Sequence, residues 1–166
     1  MKRVLIPVDG SAQSLEAVRC TLREGAAAIS HIDLLNVQPL LNRHVSRWVP
    51  RGQADGWREE RAAGALAQAK ALVASSGIPW RAHVAAGPVA PTIANAARDL
   101  GSDEIVMASS RRGLLGRLLA NSVSTRLLES SPVPVEVVPG RAAPMLDRLA
   151  LPAGLGLIAM WFFAAE

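Results

Sequence analysis

Apolar residues fall along this chain in short continuous runs, and the stretches between the runs carry a helical stripe. The runs are Arg3–Val8, Ile32–Val37, Ile78–Ala85, Glu104–Ala108 and Val133–Val138. Their length, their β-branched content and their Asp, Gly and Pro boundaries predict strands. Ser11–Ala27 places Leu15, Val18 and Leu22 on one face, which predicts a helix with Ser11 as N-cap and Ser14 in the first turn. Asp55–Ser75 does the same with Ala62, Leu66, Ala69 and Val73, and Gly77 stops it. Val89–Leu100 follows Gly87 and Pro88, carries Pro91 in its first turn, where proline is tolerated, and ends at Gly101. Arg117–Glu129 spaces Leu119, Val123 and Leu127 by four. The stretch from Leu40 to about Gln53 reads as a loop.

Five strands joined through four helices must run parallel, because a helical crossover returns the chain to the same end of the sheet. The pattern predicts an α/β fold: an open, doubly wound five-stranded parallel sheet flanked by four helices. Such sheets take ligands beyond the carboxyl ends of their strands. The segments there are Asp9–Ser11, Val37–Pro39, Ala86–Pro88 and Ser109–Gly116.

Composition narrows the class. A chain of 166 residues, half of them apolar, fits one domain with a sizeable core, and 4% aromatic content makes that core aliphatic. The net charge of +4 is carried almost entirely by arginine and is read as solvated arginines rather than a nucleic-acid surface. Cys20 is the single cysteine, which excludes an internal disulfide; inside a helical stripe it reads as a small buried hydrophobe. The run Val4–Val8 ends at Asp9, too short for a secretory signal, so a cytoplasmic protein is expected.

Candidate chemistry concentrates at the carboxyl ends. Asp9 directly after the first strand can accept hydrogen bonds from a ribose or a base amine, or cap the next helix. Ser109-Ser110-Arg111-Arg112-Gly113-Leu114-Leu115-Gly116 has the hydroxyls, glycines and cations of an anion nest but not the Gly-Lys-Ser/Thr of a P-loop. No catalytic or metal constellation emerges. His31 and His83 fall at or in strands, His44 falls in a loop, and none has a partner at metal-ligand spacing. Asp103-Glu104 sits at the amino end of the fourth strand and reads as a solvated turn. Arg43 to Arg61 interleaves arginines with Trp48 and Trp57, a pattern that suits single-stranded nucleic acid or a plain exposed loop and helix start; the second reading is preferred.

Val4-Leu5-Ile6-Pro7-Val8-Asp9-Gly10-Ser11 resembles the first strand and turn of universal stress proteins. Asp103 through Arg111, Asn121-Ser122-Val123 and Pro132 through Val138 resemble the second half of that family, and Leu34-Leu35-Asn36-Val37 and Gly87 fit between. The resemblance covers residues 1–140 and leaves 141–166 as an apolar C-terminal extension. It implies strand order 3-2-1-4-5 and a homodimer, which the edge run Val133–Val138 would form. It implies a nucleotide site at Pro7, Asp9, Val37, Ala108, Ser109, Ser110, Arg111, Asn121, Ser122 and Val123, where the family holds ATP with Mg²⁺. ATP-binding members carry glycines where this chain has Ala108, Arg111 and Asn121, with Ser122 retained, and Gly113 and Gly116 come five residues late. The chain is therefore closer to the branch that lacks the glycine motif.

The reading that follows is a non-enzymatic stress-response protein acting through dimerisation and partner interaction. The alternatives are an ATP-binding switch of the same fold and a membrane-tethered adaptor. The last rests on Leu149–Ala165, seventeen residues without a charge. As a helix it would reach about 25 Å, against a hydrocarbon core of roughly 30 Å. Packing on the domain or its dimer partner, membrane contact and a poorly ordered extension are all open to it.

Overall fold

The computed structural model describes residues 1–38, 51–109 and 123–139. The chain runs β1 (Lys2–Pro7), α1 (Ala12–Glu24), β2 (Ile29–Gln38), α2 (Arg51–Ala74), β3 (Trp80–Ala86), α3 (Val89–Asp99), β4 (Glu104–Ser109), α4 (Val123–Ser130) and β5 (Val135–Pro139). The strands form one sheet in the order β3-β2-β1-β4-β5, and every pairing is parallel. The expected fold class and strand order are both present.

Alternation along the strands sends successive side chains into two different cores. Val4, Ile6, Ile32, Leu34, Val106 and Val138 point to one side, where Leu15 and Val18 of α1 and Leu66 and Val73 of α2 cover them. Leu5, Leu35, Ile105 and Met107 point to the other, against Ile93 and Ala97 of α3 and Leu127 of α4. This explains why β1 reads as an unbroken apolar run: Val4, Leu5 and Ile6 are all fully buried, on alternate faces. The edge strands differ. On β3, Val84 is 52% exposed, because an edge strand is covered on fewer sides.

Element ends shift by a few residues for identifiable reasons. The first helix stops at Glu24 rather than Ala27, because Gly25 turns the chain at φ 76°. β2 starts early, at Ile29, where a register irregularity between Lys2 and Arg3 lets the two strands pair. The loop expected to about Gln53 is shorter, since Arg51–Gln53 already belong to α2. β3 begins at Trp80 rather than Ile78, and Pro79 contributes only its carbonyl, to Ile32 N. β5 likewise begins at Val135; Pro134 contributes its carbonyl to Ile105 N. Of the expected fourth helix, residues 117–122 lie outside the described residues. Cys20 is half-buried against the α1/α2 core rather than enclosed in it.

The amino ends of β1 and β4 are stapled. Lys2 Nζ lies 2.6 Å from Glu104 Oε2 and 2.9 Å from Glu24 Oε2. Asp103 Oδ2 accepts a 2.7 Å bond from the Arg3 backbone N–H. The Asp103-Glu104 pair is thus a tie between two strands, not the solvated turn that its sequence suggests. Only Asp103 is exposed.

Candidate functional site

The order β3-β2-β1-β4-β5 reverses direction between β1 and β4, so the crevice of this fold opens where their carboxyl ends diverge. β1 delivers Pro7 and Asp9 to that end, β2 delivers Val37, and β4 delivers Ala108 and Ser109. Pro7 pairs in register with Leu35, and Val8 N donates to Leu35 O at 2.8 Å, so Val37 overhangs the end of β1 by one pleat. Pro7 and Val37 belong to the sheet face that carries Leu5 and Leu35, the α3/α4 side, and Val37 packs there half-buried. Ala108 is half-buried against the opposite core.

Asp9 is exposed, and one of its oxygens is committed. Oδ1 accepts a 2.9 Å bond from Ser11 N, Ser11 Oγ accepts from Ser14 N at 3.1 Å, and Ser14 Oγ donates to Ser11 O at 2.9 Å. The expected Ser11 cap is therefore in place, with Asp9 forming an Asx turn ahead of it. Burial pushes the Asp9 carboxyl up, but bonds from Ser11 and Ser14 outweigh that and hold it below its ordinary value, so it is a carboxylate at neutral pH. Both roles open to Asp9 in the sequence are compatible, since the turn ahead of the helix is closed through Oδ1.

The turn after Asp9 requires glycine. Gly10 has φ 83°, and a Cβ there would stand 3.0 Å from Ala65 Cα of α2. The end of β2 is held from inside the fold. Buried Asn36 donates from Nδ2 to Val8 O at 2.7 Å, and buried Gln38 donates from Nε2 to Asn36 Oδ1. Gln38 O accepts from Gly87 N at 3.0 Å, which fixes the β3–α3 turn beside it. Sequence reasoning did not single out Asn36 and Gln38; polar residues at alternate positions of an apolar strand are the available signal.

The structure brings Pro7, Asp9, Val37 and Ala108 to adjacent strand ends. Ser109 closes β4, paired in register with Pro139, and Val123 opens α4, 38% exposed. Ser110, Arg111, Asn121 and Ser122, the phosphate side of the expected site, lie outside the described residues, as do His44, Trp48 and Leu149–Ala165. Among the described residues no cluster of His, Cys, Asp and Glu has the arrangement of a metal site, and no helix is long and apolar enough to cross a membrane.

A doubly wound parallel sheet with a carboxylate and a tight glycine turn at the end of its first strand defines an open α/β protein with a crevice at its switch point. Residues 1–139 match the Universal stress protein family, and the chain belongs to that family. It is 32% identical over 163 residues to a universal stress protein of Mycolicibacterium smegmatis, covering 93% of this chain and 53% of that protein, so the chain spans about half the length of that relative. A universal stress protein of Synechocystis sp. is 29% identical over 142 residues, covering 83% of this chain and 85% of that one. A solved structure of a universal stress protein family member from Burkholderia pseudomallei superposes with a TM-score of 0.65 at 25% identity, over 84% of this chain and 96% of that chain. A universal stress protein solved with cAMP has a TM-score of 0.65 at 20% identity, over 84% and 98%. An Arabidopsis thaliana family member with AMP bound has a TM-score of 0.64 at 17% identity, over 94% and 99%.

Proposed function

We propose that this chain is a non-enzymatic stress-response protein of the cytoplasm that acts as a homodimer through partner contacts, and that its carboxyl-end crevice takes an adenine nucleotide as a regulatory ligand. The observation that carries the nucleotide part is Asp9: an exposed, ionised carboxylate fixed by Ser11 at the switch point, with Val37 one strand away. A carboxylate there suits a ribose hydroxyl or base amine, and Pro7 and Val37 offer an apolar floor to a base. Structures of the same fold carry cAMP and AMP, which supports the class of ligand.

The phosphate side argues for recognition of the nucleoside end. Ala108, Arg111 and Asn121 replace glycines that would let the backbone approach a triphosphate. Mg²⁺ would then arrive with the phosphates, for which the family resemblance nominates Ser109, Ser110, Ser122 and Arg111. The reading needs no bond-breaking step.

Calorimetry with AMP, cAMP and ATP tests this. AMP and ATP should bind within about tenfold of each other, a difference of about 1.4 kcal/mol. ATP binding a hundredfold tighter than AMP would mean that the phosphate side is intact, and no heat with any of them at millimolar concentration would remove the ligand reading. The dimer would form through the outer edge of β5, within the expected Val133–Val138 segment, where Val137 is 37% exposed. A second reading, tethering to a membrane, rests on the uncharged run Leu149–Ala165. Pelleting of the full chain with liposomes, lost on deletion of residues 145–166, would favour it.

A further inference from the structure

The face of the sheet under α3 holds a carboxylate that the crevice does not use. Asp33 of β2 is fully buried, with Leu5 of β1 and Arg81 of β3 as its register neighbours. Arg3 Nε donates to Asp33 Oδ2 at 2.7 Å. His83 Nε2 lies 2.8 Å from Oδ1, and since Asp33 is held ionised, His83 must be the donor. His31 Nε2 lies 3.5 Å from the same Oδ1, and it is a buried atom with no hydrogen-bond partner. That distance is too long for a hydrogen bond. A neutral His31 protonated on Nδ1 would turn a lone pair toward a carboxylate oxygen.

The charged groups around His31 and Asp33 come from three elements besides β2 and from the turn before β4. Arg3 of β1 and Arg81 and His83 of β3 share its side of the sheet by alternation. Asp103, just before β4, holds the Arg3 backbone. Helix α3 packs against β2, and its last turn carries exposed Arg98 and Asp99. Lys2, Glu24 and Glu104 form their own ion-pair group on the opposite face.

We propose that His31 and Asp33 form an acid-responsive clasp: a proton on His31 Nε2 turns an unpartnered contact into a second imidazole bond on Asp33 Oδ1, tightening the hub that joins β1, β2 and β3. The proton comes from solvent, and no covalent bond changes. Arg3 and Arg81 oppose the added charge; Asp33 favours it. A bond that only the protonated ring can donate to Oδ1 stabilises the native state in acid relative to a chain that lacks it.

The test is urea unfolding of the full chain and of His31→Gln at pH 7.5 and 5.5. Acidification should lower the unfolding constant of the wild type by about two- to fivefold more than that of H31Q, the yield expected for a partly exposed ion pair. His83→Gln should keep a response of the same sign, because His31 reaches Oδ1 without it. Nitrogen-15 spectra of the histidine rings should place a protected N–H on His31 Nε2 at pH 5.5. Equal pH dependence in wild type and H31Q, a response of the opposite sign, loss of the response in H83Q, or a His31 Nε2 that exchanges as in free histidine would each overturn the clasp.

Discussion

Arg3 reaches diagonally across the β1–β2 ladder: it is paired in register with His31, yet its Nε bonds Asp33 Oδ2 at 2.7 Å. The bond uses the pleat, since residues two apart on a strand share a face. It neutralises a carboxylate buried in the middle of a parallel sheet, where an unpaired charge would be untenable.

Removing that carboxylate should expose its cost. Asp33→Ala leaves the Arg3 guanidinium and the His83 N–H without their acceptor and should lower stability by about 1–3 kcal/mol in urea unfolding, with Asp33→Asn milder because it keeps an acceptor. A D33A chain as stable as the wild type would contradict the pairing.

Asp33 also sets the acid limb of stability. Burial raises its carboxyl, but the bonds from Arg3 and His83 outweigh burial and hold it below the ordinary value. A depressed carboxyl contributes stability that is fully present above the unfolded value, about 3.9, and is lost as pH falls through the folded one. Unfolding free energy followed from pH 5 to pH 2 should therefore decline less steeply in D33N than in wild type. The Lys2 ammonium is raised chiefly by its bond to Glu104 and then by Glu24, but it is part-exposed, so Lys2→Ala should cost at most about 1 kcal/mol.

The turn glycines separate two effects. Gly10→Ala meets both a left-handed backbone and Ala65 Cα at 3.0 Å, whereas Gly25→Ala, at φ 76°, meets nothing within 4 Å. G25A should cost about 1–2 kcal/mol, the penalty of the left-handed conformation alone, and G10A more. Thermal melts of the two variants give the comparison, and equal shifts would contradict close packing of α2 on the turn.

Much of the fold was legible because the central strands have no polar face to disguise them: Val4-Leu5-Ile6 reads as doubly buried and is. Helix stripes located α1 to α3 because their apolar face contrasts with a polar one, and Ser11 identified its own helix start. Strand ends at Pro79 and Pro134 were misplaced because proline keeps its carbonyl in the ladder while lacking the N–H. Asp9 could be nominated by its place after β1. Asp33 could not, because its partners Arg3 and His83 lie 30 and 50 residues away and meet it only once β1 and β3 flank β2. The readable clue was a lone carboxylate inside Ile32–Val37, which had to find a cation.

The most direct measurement is titration of AMP into the wild-type chain and into Asp9→Ala by calorimetry. Wild type should give saturable heat, and loss of a hydrogen bond to a charged group should weaken D9A by about 1.5–3 kcal/mol. Circular dichroism should record a folded D9A, since the cap keeps Ser11 Oγ on Ser14 N. Equal affinity in the two chains, or no heat from wild type at millimolar AMP, would contradict a nucleotide site built on Asp9.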